Sequence, residues 1–159
     1  MTRALKSLVL IFGLAILIPA AHAQKKSFTA TLSGAGMVPA VKTAATGHAI
    51  FHLAHNGKSI VYTLRVIGVE DPTMAHIHLA GAGKEGPVVA WLYPTAAYPV
   101  KTEMVRGMLS RGTITAAMLA GPMKGKTISD LLAEMRAGDT CVIIHTKAHP
   151  GGEIRGQIK

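Results

Sequence analysis

Residues 46–68 read Thr46-Gly47-His48-Ala49-Ile50-Phe51-His52-Leu53-Ala54-His55-Asn56-Gly57-Lys58-Ser59-Ile60-Val61-Tyr62-Thr63-Leu64-Arg65-Val66-Ile67-Gly68. Ala49, Phe51 and Leu53 alternate with His48, Ile50 and His52; beyond Asn56-Gly57, Tyr62, Leu64 and Val66 alternate with Thr63 and Arg65. A period of two sends one set of side chains to a buried face and the other to a solvated one, which is strand behaviour. An Asn-Gly pair between two such runs tolerates the left-handed backbone of a hairpin turn. The pattern predicts that 46–55 and 58–68 pair antiparallel.

The same alternation recurs on both sides. Phe28, Ala30 and Leu32 alternate with Thr29, Thr31 and Ser33 as an opening strand, and further strands are expected at 73–80, 87–93, 105–114, 140–146 and 153–158. Asp71-Pro72, the stretch from Gly81 to Pro87, and Pro150-Gly151-Gly152 punctuate the intervals, as turn residues do. Short strands separated by turns imply an all-β fold, here an antiparallel Greek-key β-sandwich of about eight strands. One or two short helices are expected with it. Asp130 to Arg136 carries Leu131, Leu132 and Met135 on one face, with Ser129 as N-cap and Gly138 as terminator; Thr115 to Gly121 forms a shorter turn.

Residues 1–23 do not belong to that fold. Arg3 and Lys6 precede an apolar run from Leu8 to Ile18, Pro19 interrupts it, and Ala21-His22-Ala23 has the small-x-small form of a cleavage site. This is a signal peptide, so the protein is expected to be exported, periplasmic or secreted, and to begin at Gln24. The run is shorter than the roughly 20 residues that span a bilayer, so no lasting membrane anchor is expected. Residues 24–159 then form one domain. With Cys141 as the one cysteine there is no internal disulfide.

Seventeen basic against eight acidic residues give a net charge of +9, which favours an anionic surface or a protein as partner. The lysines and arginines are scattered, without a basic helix or an aromatic-interleaved stripe, so nucleic-acid binding is not expected. No nucleophile motif, phosphate loop or dinucleotide fingerprint occurs, and a binding protein is favoured over an enzyme.

The chemistry-bearing residues are histidines. In Ala75-His76-Ile77-His78 the two imidazoles share one strand face, about 7 Å apart along the strand, while Ile77 turns to the core. In Cys141-Val142-Ile143-Ile144-His145, Val142 and Ile144 would face the core and leave His145 with Cys141 and Ile143 on the other side. If the two strands adjoin, His76, His78 and His145 meet, with His149, Cys141 or a water completing a site. Three imidazoles suit copper(II) or zinc, copper having the higher intrinsic affinity. A second same-face pair, His48 and His52 with His55 beyond, has no residue spaced to complete a shell and reads as exposed. The opposite reading of the first three is structural, each ring bracing a glycine-rich loop through backbone carbonyls. Glu153 and Arg155 share a face of the last strand, where an ion pair or cross-strand contact is expected.

Three ordered segments resemble the CHRD (chordin-type) domain family: Phe28 to Gly34 with Val38-Pro39 and Ala45-Thr46-Gly47; Ala75 to His78 with Gly83, Gly86, Pro87, Val88 and Val89; and His145-Thr146 with Pro150 to Gln157. The family departs from this chain at Gly36-Met37, where Gln-Glu is usual, at Ala80, where Gly is usual, and at Cys141, Ile143 and His149, where Tyr, Asn and Asn are common. The resemblance implies an extracellular interaction module, since the family is named for repeats in a secreted inhibitor of growth factors. On that reading the domain is structural or adhesive and holds no metal. The order of His76, His78 and His145 is also similar to three copper ligands of copper–zinc superoxide dismutase. That enzyme's bridging histidine, zinc ligands and disulfide have no counterparts here, so its full chemistry is not implied.

Overall fold

The computed structural model describes residues 25–159; the signal peptide expected at 1–23 lies outside them. Eight strands follow in order: Ser27–Ser33 (β1), Thr46–Leu53 (β2), Ser59–Val69 (β3), Pro72–Leu79 (β4), Val88–Tyr93 (β5), Val105–Thr115 (β6), Thr140–Thr146 (β7) and Ile154–Gln157 (β8). Among the described residues one α-helix, Ile128–Ala137 (α1), lies between β6 and β7, and short 3-10 turns occupy Gly34–Gly36, Ala116–Met118 and Gly121–Met123. The turn expected within Thr115 to Gly121 is the 3-10 turn Ala116–Met118, and a second one follows it at Gly121–Met123.

All eight strands join one sheet in the order β5-β4-β7-β8-β1-β2-β3-β6. It curls until its ends approach, and the two packed layers expected of a sandwich are halves of this one nearly closed sheet. Tyr62 Oη on β3 and Ser110 Oγ on β6 both donate to the Leu92 carbonyl of β5, at 2.7 and 2.8 Å. These bonds give the β5 edge polar partners in place of a ladder, which an open edge would leave to water or to another chain.

Each strand's period of two is realised as burial. Phe28, Ala30 and Leu32 of β1, Ala49 and Phe51 of β2, Tyr62, Leu64 and Val66 of β3, Ala75 and Ile77 of β4, and Val142 and Ile144 of β7 all enter one core. The hairpin of β2 and β3 has the register Thr46↔Ile67 to Leu53↔Ile60. Its loop is longer than a two-residue turn: Ala54 N–H donates to the Ser59 carbonyl at 2.9 Å, and Asn56 Oδ1 accepts from Lys58 N–H.

Leu131, Leu132 and Met135 of α1 join the core, as their spacing predicts. The N-cap is Thr127, not Ser129. Thr127 Oγ1 accepts from Asp130 N–H while Asp130 Oδ2 accepts from Thr127 N–H, closing a reciprocal box that places Ser129 inside the first turn. Gly138 ends the helix.

The arrangement that matters for the site is the insertion of β7 beside β4. The pairs are Met74↔His145, His76↔Ile143 and His78↔Cys141. Since Ala75, Ile77, Val142 and Ile144 occupy the core face, His76, His78 and His145 are all on the opposite, outer face. There Cys141 and Ile143 form a second small apolar cluster with Met37 and Ala80. Among the described residues no helix is long and apolar enough to cross a membrane.

Candidate metal centre

His76, His78 and His145 are 3%, 8% and 8% exposed, which sets them apart from histidines on an ordinary solvated strand face. Their ring centroids lie 5.6 Å (His76 to His78), 5.2 Å (His76 to His145) and 6.0 Å (His78 to His145) apart. One nitrogen from each ring comes within 4.8 Å of the other two. Nitrogens bound at 2.0–2.1 Å to a common tetrahedral ion would stand about 3.4 Å apart, so the rings need close by at most about 1.4 Å. The three buried histidines could hold a metal ion.

Two of the rings are oriented by backbone. His78 Nδ1 is 2.7 Å from the Gly86 carbonyl, and His145 Nδ1 is 2.9 Å from the Pro150 carbonyl. A carbonyl oxygen can only accept, so each Nδ1 carries the proton and each Nε2 presents a lone pair. That division of labour is what a metal-binding imidazole requires. Both Nε2 atoms are buried without a hydrogen-bond partner, as are Nδ1 and Nε2 of His76. An orphaned buried polar atom costs about 1–3 kcal/mol. A cation at their common point would satisfy one nitrogen of each ring at once.

The loops that supply these carbonyls are shaped by glycine. Leu79 N–H donates to the Pro87 carbonyl at 2.9 Å, closing the loop between β4 and β5. Within it a side chain on Gly86 would collide with the Leu79 carbonyl oxygen. At the other loop Gly152 has φ +124, and a Cβ there would lie 2.5 Å from Met37 Cε. His149 takes part through its backbone: its N–H donates to Thr146 Oγ1 at 3.2 Å and its carbonyl accepts from Gly152 N–H at 3.0 Å. These bonds hold the turn that offers Pro150 to His145.

The other residues singled out by the sequence are placed elsewhere. The His149 ring is not one of the gathered three; it lines a separate cavity of about 460 Å³ with Thr43, Asp71 and Glu153. Cys141, fully buried, also stands outside the group. Burial pushes its thiol pKa up, opposed by the neighbouring Arg155 guanidinium, whereas ligation needs the thiolate. Glu153 and Arg155 do not pair with each other. Glu153 Oε1 accepts from Thr43 Oγ1 at 2.6 Å, and Arg155 donates to the Gly81 and Lys84 carbonyls and to Gln157 Oε1. Arg155 thereby ties the loop containing Gly86 to β8. His48 and His52 are exposed, the latter bonded to Ser27 Oγ at 2.8 Å.

The structural reading of the histidines anticipated rings braced on loop carbonyls, and His78 and His145 have such partners; which carbonyls serve, Gly86 and Pro150, and the part of Trp91 went unread in the sequence. The indole of Trp91 and the His76 ring stand perpendicular, with centroids 4.2 Å apart and planes at 85°. Backbone carbonyls carry no residue signature. The pairing of Trp91 with His76 depends on two register shifts in β4 and β5, between Ala75 and His76 and between Ile77 and His78.

Burial favours the neutral forms of His76 and His78. His76 is lowered from its ordinary 6.5 to about 4, first by burial and then by His145 and His78. His78 is also lowered, chiefly by burial, with the Gly86 carbonyl opposing and His145 and Arg155 adding to the fall. The folded metal-free protein thus refuses a proton that the unfolded chain accepts below pH 6.5. The stability this difference contributes is complete above that pH and is lost as the pH falls from 6.5 toward 4, where His76 titrates in the folded state. An NMR titration of the metal-free protein should place the His76 midpoint near 4, with the urea midpoint dropping over the same window. A His76 midpoint at 6.5 would contradict the burial described.

Compared with models of protein families, residues 28–158 match the CHRD domain. No curated protein matches the chain.

Proposed function

This chain belongs to the CHRD domain family, and from that premise we propose that it is an exported binding module holding one copper or zinc ion on His76, His78 and His145. The observation that carries the reading is the group of buried, unpartnered ring nitrogens within 4.8 Å of one another, two of the rings fixed by carbonyls as Nε2 ligands. An all-imidazole donor set suits either ion, and the affinity order among divalent metals favours copper(II). A bound ion would supply the positive charge that the lone pairs lack. Export rests on the leader-like residues 1–23. The basic balance of the chain favours an anionic or protein surface as its partner.

Holding, not turnover, is the role these residues support. The three rings are almost fully covered, and Glu153, the buried carboxylate of the closing segment, is engaged by Thr43. His78 and His145 use their second nitrogens on backbone, which leaves neither free to shuttle a proton.

The test is the metal content of protein purified from the exported fraction, where the chain should begin at Gln24. After equilibration with copper(II) or zinc and removal of excess, one ion per chain is expected, and none in the His76→Ala, His78→Ala double variant. A wild-type protein that retains neither ion would overturn the proposal and leave the metal-free interaction domain as the reading.

A further inference from the structure

His76 differs from its two companions in a way the metal reading does not by itself account for. His78 and His145 each give one nitrogen to a carbonyl and keep one for an ion. His76 has neither nitrogen partnered, although the residue is 3% exposed. An ion can take only one of them. The other, which must carry the proton of the neutral ring, still needs an acceptor.

Trp91 is the aromatic neighbour that can supply that acceptor. It is the partner of His76 across β4 and β5, and its ring lies 4.2 Å away at 85°. A perpendicular contact at that range aims an edge of one ring into the face of the other. An indole face is electron-rich and accepts an N–H donor. The chain has one tryptophan, and this one is 45% exposed on the outside of the sheet. Core packing does not explain a large aromatic in that place.

We infer that Trp91 is a positioning residue of the centre: its indole face accepts the non-coordinating N–H of His76 and holds that ring as the Gly86 and Pro150 carbonyls hold His78 and His145. The inference rests on the metal reading for its purpose but not for its geometry. Each of the three ligands then has its own orienting acceptor, two from loops and one from the neighbouring strand. The half-exposed indole also covers His76 on the β5 side. Arrival of an ion at the site is therefore sensed directly by the chain's one indole fluorophore.

Two measurements test this. In the metal-free wild-type protein at neutral pH, proton–nitrogen NMR should show one slowly exchanging His76 ring N–H. It should be shifted upfield by the indole ring current, and the shift should be absent in Trp91→Leu. With copper(II) or zinc, Trp91→Leu should bind about 10–100-fold more weakly, the usual effect of removing a residue that orients a ligand, while Trp91→Phe, which keeps an aromatic face, should stay within a few-fold of wild type. A His76 N–H at an ordinary shift, or Trp91→Leu binding as tightly as wild type, overturns the inference. Should the wild-type protein bind neither ion, the functional proposal fails, and the N–H signal still decides whether Trp91 holds His76.

Discussion

Copper(II) or zinc supplied at a hundred times its dissociation constant should stabilise the protein by about 2.7 kcal/mol, which for a domain of this size raises Tm by roughly 10 °C. At the proposed site an ion would bind only where three imidazoles from two strands are held together, and the unfolded chain has no such arrangement, so binding free energy would become folding free energy. In the His76→Ala, His78→Ala variant this increment should vanish. Its metal-free stability is a separate matter: the substitutions remove buried, unpartnered nitrogens but also leave the Gly86 carbonyl without its donor. The decisive quantity is accordingly the difference between metal-loaded and metal-free melting, read by calorimetry or circular dichroism for each protein. A metal-dependent rise equal in wild type and variant would place the ion elsewhere, the exposed His48 and His52 being the obvious alternative donors.

Gly86→Ala should damage both the fold and the centre. A Cβ at Gly86 meets the Leu79 carbonyl oxygen, and then Ala80 Cβ at 3.1 Å. The first of these is backbone at the end of β4 and cannot swing aside, so the loop itself must move. Overpacking of this kind costs about 1–3 kcal/mol. The movement carries the Gly86 carbonyl away from His78 Nδ1, and loss of such an orienting bond lowers metal affinity about 10–100-fold. Gly83→Ala is the control. Gly83 lies in the same loop at φ +70 with no atom near its would-be Cβ. Strain at a left-handed position costs about 1–2 kcal/mol, and metal affinity should be unchanged. Equal affinities for the two variants would show that the Gly86 carbonyl does not orient His78.

What could be read from the chain alone divides along physical lines. Strand alternation is local, and it located all eight strands within a few residues. The faces followed from it too: Ile77 inward with His76 and His78 outward, Val142 and Ile144 inward with His145 outward. Whether those outward faces coincide depended on β7 lying beside β4, a contact between segments some seventy residues apart that no local pattern encodes. His149 illustrates the reverse problem. Its identity and its place near His145 made it a candidate ligand, but it stands outside the gathered three, lines another cavity, and serves the turn around Pro150 through its backbone. Ser129, expected as the helix cap, lies inside the first turn, because the reciprocal bonds with Asp130 make Thr127 the cap. The carbonyls of Gly86 and Pro150 left no trace in residue type, although the glycine and proline around them marked the loops.

X-ray absorption on the metal-loaded protein tests the central claim most directly. Three imidazole nitrogens at about 2.0 Å are predicted around the ion, with one imidazole fewer in His145→Ala. A sulfur scatterer near 2.3 Å, as Cys141 ligation would give, or a shell of oxygens without the multiple scattering of imidazole, would contradict it.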